Sequence, residues 1–199
     1  MTTSFIPLTS MPLESGVCIH RLDRLFSDVV TMVDPAIVVM TDLRKVNAVT
    51  IEADVSIEAA SKRMKQRGVR LLLVADDHDV IIGLITSTDL QGEKPLQYIQ
   101  KHGGKRSDVT VGDIMTPQQN LEVLCMADVD RSKVGNVVET LKKTGRQHAL
   151  VVDRLNAKQP QVLRGIFSAS QIARQLDMEI QTGEIAKTFA EIETLLMSN

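Results

Sequence analysis

The strongest constraint on this chain is that it repeats itself. "MKQRGVRLLLVAD" (Met64–Asp76) aligns without gaps on "LKKTGRQHALVVD" (Leu141–Asp153). In each, a helical pattern stops on a glycine, runs through an apolar strand and closes on an aspartate. The turn "GLITSTD" (Gly83–Asp89) returns as "GIFSASQ" (Gly165–Gln171), and "VMTD" (Val39–Asp42) returns as "IMTP" (Ile114–Pro117). Internal repetition marks a fold assembled from copies of one small unit. A unit of about 60 residues buries its core poorly by itself. Two copies packed face to face with pseudo-two-fold symmetry solve that problem, and the packing creates a cleft between them.

Each copy reads as strand, helix, strand, strand, helix, giving an α/β fold of the α+β kind with two β-α-β-β-α repeats and flanking N- and C-terminal helices. In the first copy "NAVTI" has strand composition, and Ile57, Ala60, Ser61 and Met64 fall at helical spacing before a stop at Gly68. "VRLLLVA" and "VIIGLIT" are strands joined by the polar hairpin Asp76–Asp79. The second copy supplies "LEVLCM", a helix near Ser132–Lys143, "QHALVV", "VLRGIFS" and a last helix. The expected boundaries are an N-terminal helical segment over 1–36, repeat 1 over 37–92, a linker over 93–111, repeat 2 over 112–181 and a C-terminal helix over 182–199. Gly and Pro punctuate the linker region Gln91–Asp108, which has room for one short helix. Apolar stripes at helical spacing (Leu22, Leu25, Phe26, Val29 and Val33; Ile185, Phe189, Ile192 and Leu196) suit either packing onto the module or a docking seam.

Composition narrows the function. With 43% hydrophobic residues the chain can build a core, and 25 acidic against 23 basic residues disfavour a general nucleic-acid binder. The short basic run Lys101–Arg106 reads as a solvated loop. Cys18 and Cys125 lack metal-type spacing and suit a reducing cytoplasm. No leader pattern is evident, and the apolar runs are too short to span a membrane. His20, His78, His102 and His148 are scattered, and no P-loop or nucleophile elbow is present, so neither a catalytic set nor a metal site is expected.

The repeated turn supports two readings. Thr86-x-x-Asp89 and Ser168-x-x-Gln171 have capping-box spacing, which would keep both turns and make the Asp-to-Gln change nearly neutral. Alternatively, a strand ending at a helix start presents free N–H groups that suit a phosphate. Its carboxylate can also take two charge-assisted bonds from a vicinal diol, which Gln does less well.

The order of elements, the "VMTD" and "IMTP" lead-ins, the strand–Asp hairpins and the Gly-apolar-apolar-Thr/Ser-x-x-Asp turn resemble a tandem pair of CBS domains (after cystathionine β-synthase), a Bateman module, over roughly Val38–Leu176. The resemblance implies an adenosine compound between the repeats: AMP, ADP or ATP, with S-adenosylmethionine as a further possibility. It places the ribose on Thr86, Thr88 and Asp89 after Gly83, phosphates near Arg70, and the base against Leu124, Cys125 and Met126. For the second cleft it points to Ser168, Ser170 and Gln171, with Gln147 and His148 in the stretch that matches that of Arg70 and the base near Asn47 and Val49. Read as residues alone, Arg70 also suits a surface charge and His148 a partly buried, hydrogen-bonded ring. The change at Gln171 leads to the expectation of one better site at Asp89 and one weakened or vacant site. The whole is expected to be a cytoplasmic regulatory sensor rather than an enzyme, acting through a separate partner protein or as a homodimer. The alternative is an interaction scaffold with vestigial clefts.

Overall fold

The computed structural model describes residues 30–154 and 160–176. Cys18, His20, Leu22, Leu25, Phe26, Val29 and the stripe from Ile185 to Leu196 lie outside the described residues.

The described chain runs β1 (Thr41–Asp42), β2 (Thr50–Ile51), α1 (Ile57–Arg67), β3 (Leu71–Ala75), β4 (Ile81–Thr86), α2 (Ser87–Gln91) and α3 (Lys94–His102). It continues through α4 (Val111–Ile114), β5 (Thr116–Pro117), β6 (Val123–Cys125), α5 (Met126–Val129), α6 (Val134–Thr144), β7 (His148–Asp153), β8 (Val162–Ser168) and α7 (Ala169–Gln175). The repeat is visible in how the helices begin and end. Ser56 caps α1 by accepting from the Ala59 N–H, and Gly68 closes it at φ 64°, as the sequence leads one to expect. Gly145 closes α6 in the same left-handed conformation at φ 62°, a geometry glycine adopts without the Cβ penalty.

Among the described residues two four-stranded sheets form, in the orders β2-β3-β4-β5 and β1-β8-β7-β6. Within each, a parallel pair (β2 with β3, β6 with β7) adjoins an antiparallel hairpin. The lead-in "VMTD" does not join its own copy: Thr41 pairs with Ile166 and Asp42 with Gly165, on β8 of the second copy. The lead-in "IMTP" likewise crosses to the first copy, with Thr116 beside Leu84 and Pro117 beside Gly83. The two copies therefore exchange edge strands.

This exchange explains the repeated glycine. A Cβ at Gly83 would lie 2.7 Å from both Met115 Sδ and the Thr116 carbonyl oxygen. At Gly165 it would run into the side chain of Met40. Each glycine makes room for the methionine of the incoming lead-in strand.

Among the described residues three apolar clusters hold the module. The first copy packs Ile51, Ile57, Ala60, Leu72, Val74 and Ile85 together, and the second packs Val134, Val138, Leu141, Val151, Phe167 and Ile172. Between the sheets a third cluster joins Leu71, Leu73 and Leu150 to Leu84, Leu121 and Ile166. Strand β3 is buried along its whole length because its two faces serve different cores. Leu72 and Val74 point to its own helices, while Leu71 and Leu73 point to the sister sheet. Full burial of such a side chain is worth about 1.5–3 kcal/mol, so the shared cluster is a substantial part of what holds the copies together. The linker region is largely ordered as α3, a 3-10 turn at Arg106–Asp108, and α4.

Candidate functional site

A cavity of about 280 Å³ opens where the two copies meet. The first copy lines it with Leu84, Thr86, Thr88 and Asp89, and β5 adds Thr116. The second copy supplies Asn120, Leu121 and Glu122 ahead of β6, and Gly145 to His148 and Leu150 around the start of β7. Leucines make its apolar floor, and the α2 turn makes its polar edge.

The turn at Thr86 is a complete capping box. Thr86 Oγ1 accepts from the Asp89 N–H at 3.2 Å, while Asp89 Oδ2 accepts from the Thr86 N–H at 2.8 Å and from its hydroxyl at 2.7 Å. Oδ2 is thereby saturated. Oδ1 pairs with Lys94 Nζ at 2.6 Å, and the side chain keeps only 14% of its surface exposed. One acceptor position thus remains on Oδ1. The expectation of free N–H groups at this helix start is narrowed, because the Ser87 N–H donates to the Arg70 carbonyl at 2.9 Å and Asp89's goes to Thr86. Strand pairing and capping have claimed these two.

Two contacts cross or rim the cleft. Gln147 Nε2 donates to Thr88 Oγ1 at 2.8 Å, linking the copies. Arg146 pairs with Glu122 at 2.8 Å on the wall of the second copy. His148 is half-buried, and its Nδ1 is buried with no hydrogen-bond partner among the described residues. Burial, with help from the charge of Arg70 and against that of Asp89, pushes its pKa down to about 4. The ring is therefore neutral at pH 7.

Thr86, Thr88 and Asp89 thus lie together at one cleft, with His148 beside them. His148, expected at the second cleft, lines the Asp89 cleft instead, because β7 begins beside the α2 turn. Leu124, Cys125 and Met126 do not line this cavity. Strand β6 runs parallel to β7 with Val123 beside Leu150, which places Asn120–Glu122 next to the cleft and carries β6 away from it. Leu124 packs against the second core, Cys125 is an exposed free thiol and Met126 is buried. The missed residues, Leu121 and Glu122, follow from that parallel register, and Gln147, expected with His148 at the second cleft, lines this one as well. Gly83 is buried under β5 as described, and Arg70 precedes β3 with an exposed side chain.

The second turn is built differently. Ser168 makes no capping bond; its hydroxyl lies 3.1 Å from that of Ser170. Gln171 Oε1 instead accepts from Thr41 Oγ1 at 3.1 Å, on the lead-in strand of the first copy. Capping therefore does not account for the second turn. The longer amide reaches the crossing strand directly. In the first copy Lys94 spans the equivalent distance from Asp89, reaching the Ile114 carbonyl at 3.2 Å and Thr116 Oγ1 at 3.5 Å. Asn47 is exposed, and Val49 packs against the first core and lines a separate surface hollow with Thr50, Arg63 and Arg67. Nearby, Arg164 pairs with Asp42, both nearly buried, and locks β1 onto β8.

Among the described residues no group of His, Cys, Asp and Glu side chains could hold a metal ion, and no helix is long and apolar enough to cross a membrane. Residues 32–93 match the family model of the CBS domain. No curated protein matches the sequence. The fold resembles that of CBSX2, solved in complex with AMP, with a TM-score of 0.51 and 24% identity over 71% of this chain and 94% of that one. An uncharacterized conserved protein from Pyrococcus horikoshii superposes at a TM-score of 0.53, with 22% identity over 77% of this chain and 99% of that one. The CBS domain of the bacterial CNNM/CorC family Mg2+ transporter gives 0.50 and 19% identity, over 74% of this chain and 78% of that one.

Proposed function

Since the chain carries a CBS domain at residues 32–93 and has the fold of a tandem CBS pair, we propose that it is a regulatory module that binds an adenosine nucleotide in the Asp89 cleft. The observation that carries this reading is the cleft itself. Hydroxyls and a carboxylate from one repeat face a neutral imidazole, an amide and an arginine from the other across an apolar floor. Adenine fits the leucine floor formed by Leu84, Leu121 and Leu150. A ribose hydroxyl donates to the remaining acceptor position of Asp89 Oδ1, and Thr88 serves the second hydroxyl. A phosphate then competes with Glu122 for Arg146, with Arg70 nearby. A volume of about 280 Å³ sits at the small end of ligand pockets and favours AMP over ADP, ATP or S-adenosylmethionine. The Gln171 turn, tied to Thr41, is the weaker or empty counterpart. Because residues of both repeats line the cleft, a ligand that favours one arrangement of them shifts that arrangement. The shift is passed to a partner protein in the cytoplasm or across a homodimer, and no catalysis is involved.

A thermal-shift screen with AMP, ADP, ATP and S-adenosylmethionine tests the reading. At a hundredfold excess over its dissociation constant the true ligand adds about 2.7 kcal/mol of stability. Indifference to all four favours the second reading, an interaction scaffold. One observation speaks for that alternative: Asp89 and Arg146 are already paired within the chain.

A further inference from the structure

Lys94 Nζ has a separate acceptor for each of its three protons: Asp89 Oδ1 at 2.6 Å, the Ile114 carbonyl at 3.2 Å and Thr116 Oγ1 at 3.5 Å. These acceptors belong to the α2 turn, the end of α4 and strand β5, while Lys94 itself opens α3. Helix formation does not explain the residue, because a cation in the first turn opposes the helix dipole. Orientation of Asp89 does not explain it either, since the capping box already fixes that carboxylate through Oδ2. In the second copy the turn is tied to its crossing strand by the neutral Thr41–Gln171 bond.

We infer that Lys94 is the ligand's internal competitor: its ammonium holds the one Asp89 oxygen on which a ribose hydroxyl lands, so that occupancy of the cleft and anchoring of α3 oppose each other. The inference rests on the adenosine reading of the cleft and gives it an output. A hydroxyl donates weakly to a carboxylate already neutralised by an ammonium and strongly to a free one. A hydroxyl that shares Oδ1 with the ammonium therefore weakens the Lys94 contact while the capping box keeps the carboxylate in place. The released helix is the one that joins the two repeats, with Tyr98 and Ile99 packed on the first core. Lys94 thus sets both the affinity of the cleft and the movement that reports its occupancy.

The variant Lys94→Met keeps the apolar stem and removes the charge. Calorimetry with adenosine, a ligand without phosphate, is expected to show about three- to tenfold tighter binding than in the unaltered protein, because the freed carboxylate is the stronger acceptor. Hydrogen exchange of the α3 amides should rise when adenosine saturates the unaltered protein. In Lys94→Met it should be raised from the start and not change further. Asp89→Asn tests the anchor without any ligand, and should raise α3 exchange in the same way. Equal or weaker binding by Lys94→Met, or α3 exchange unmoved by Asp89→Asn, overturns the inference while leaving the nucleotide reading intact. If neither the unaltered protein nor Lys94→Met binds adenosine or AMP, the nucleotide reading itself fails. Binding seen only in Lys94→Met supports the competitor.

Discussion

At Asp89 one carboxylate oxygen caps a helix while the other meets a lysine at the edge of the cleft. Gln171, at the equivalent place, bonds across to Thr41 and caps nothing. Asp89→Ala should therefore weaken AMP binding by roughly ten- to a hundredfold, the worth of a hydrogen bond to a charged group. Gln171→Ala should leave binding nearly unchanged; calorimetry giving equal losses would refute the asymmetry. His148 offers a test by pH. Its folded pKa of about 4 lies below the ordinary 6.5, so the unfolded chain takes up the proton first. Stability is unaffected above pH 6.5 and is lost as the pH falls from 6.5 towards 4, at up to about 1.4 kcal/mol per pH unit. Urea midpoints at pH 7 and pH 5 should diverge more for the unaltered protein than for His148→Gln. Identical divergence would show that the histidine is not held neutral.

Among the elements, the exchanged lead-in strands and the two turns are each held by contacts that single substitutions can remove. Because Thr116's carbonyl is backbone and cannot swing aside, Gly83→Ala must push β5 off β4. A loss of about 1–3 kcal/mol, as for overpacking, is expected in chemical denaturation. The two turns should also respond differently to loss of their hydroxyl. Thr86→Ala removes a working cap and should cost about 1 kcal/mol. Ser168→Ala removes a hydroxyl that caps nothing and should cost much less. Comparable losses would mean that the two turns are equivalent after all.

For the whole molecule, strand exchange makes the repeats interdependent. A fragment ending at Gly103 keeps β1 without β8 and leaves β4 without β5. It also exposes Leu71 and Leu73, whose partners include Leu150 and Ile166. Fragments 1–103 and 104–199 should each lack cooperative folding alone and regain it on mixing, followed by circular dichroism. A fragment that unfolds cooperatively by itself would show that the shared cluster is dispensable.

Much of this fold was legible because its signals are local. Gly68 and Gly145 as helix stops, the alternation in β4 and the apolar run of β3 each depend on a few neighbouring residues and the period of their element. Repetition then implied two packed halves and a cleft, and the turn singled out Thr86, Thr88 and Asp89. What the chain's order concealed was which partner each piece would choose. The lead-ins crossed to the opposite sheet, Leu121 and Glu122 took the wall assigned to Leu124–Met126, and Gln171 reached Thr41 across 130 positions. Periodicity and capping act within a turn or a strand, so the sequence alone determined the elements and their repetition. Strand exchange, parallel register and the Lys94–Asp89 pair depend on distances that exist only once the two halves have packed, and those the tertiary structure decided.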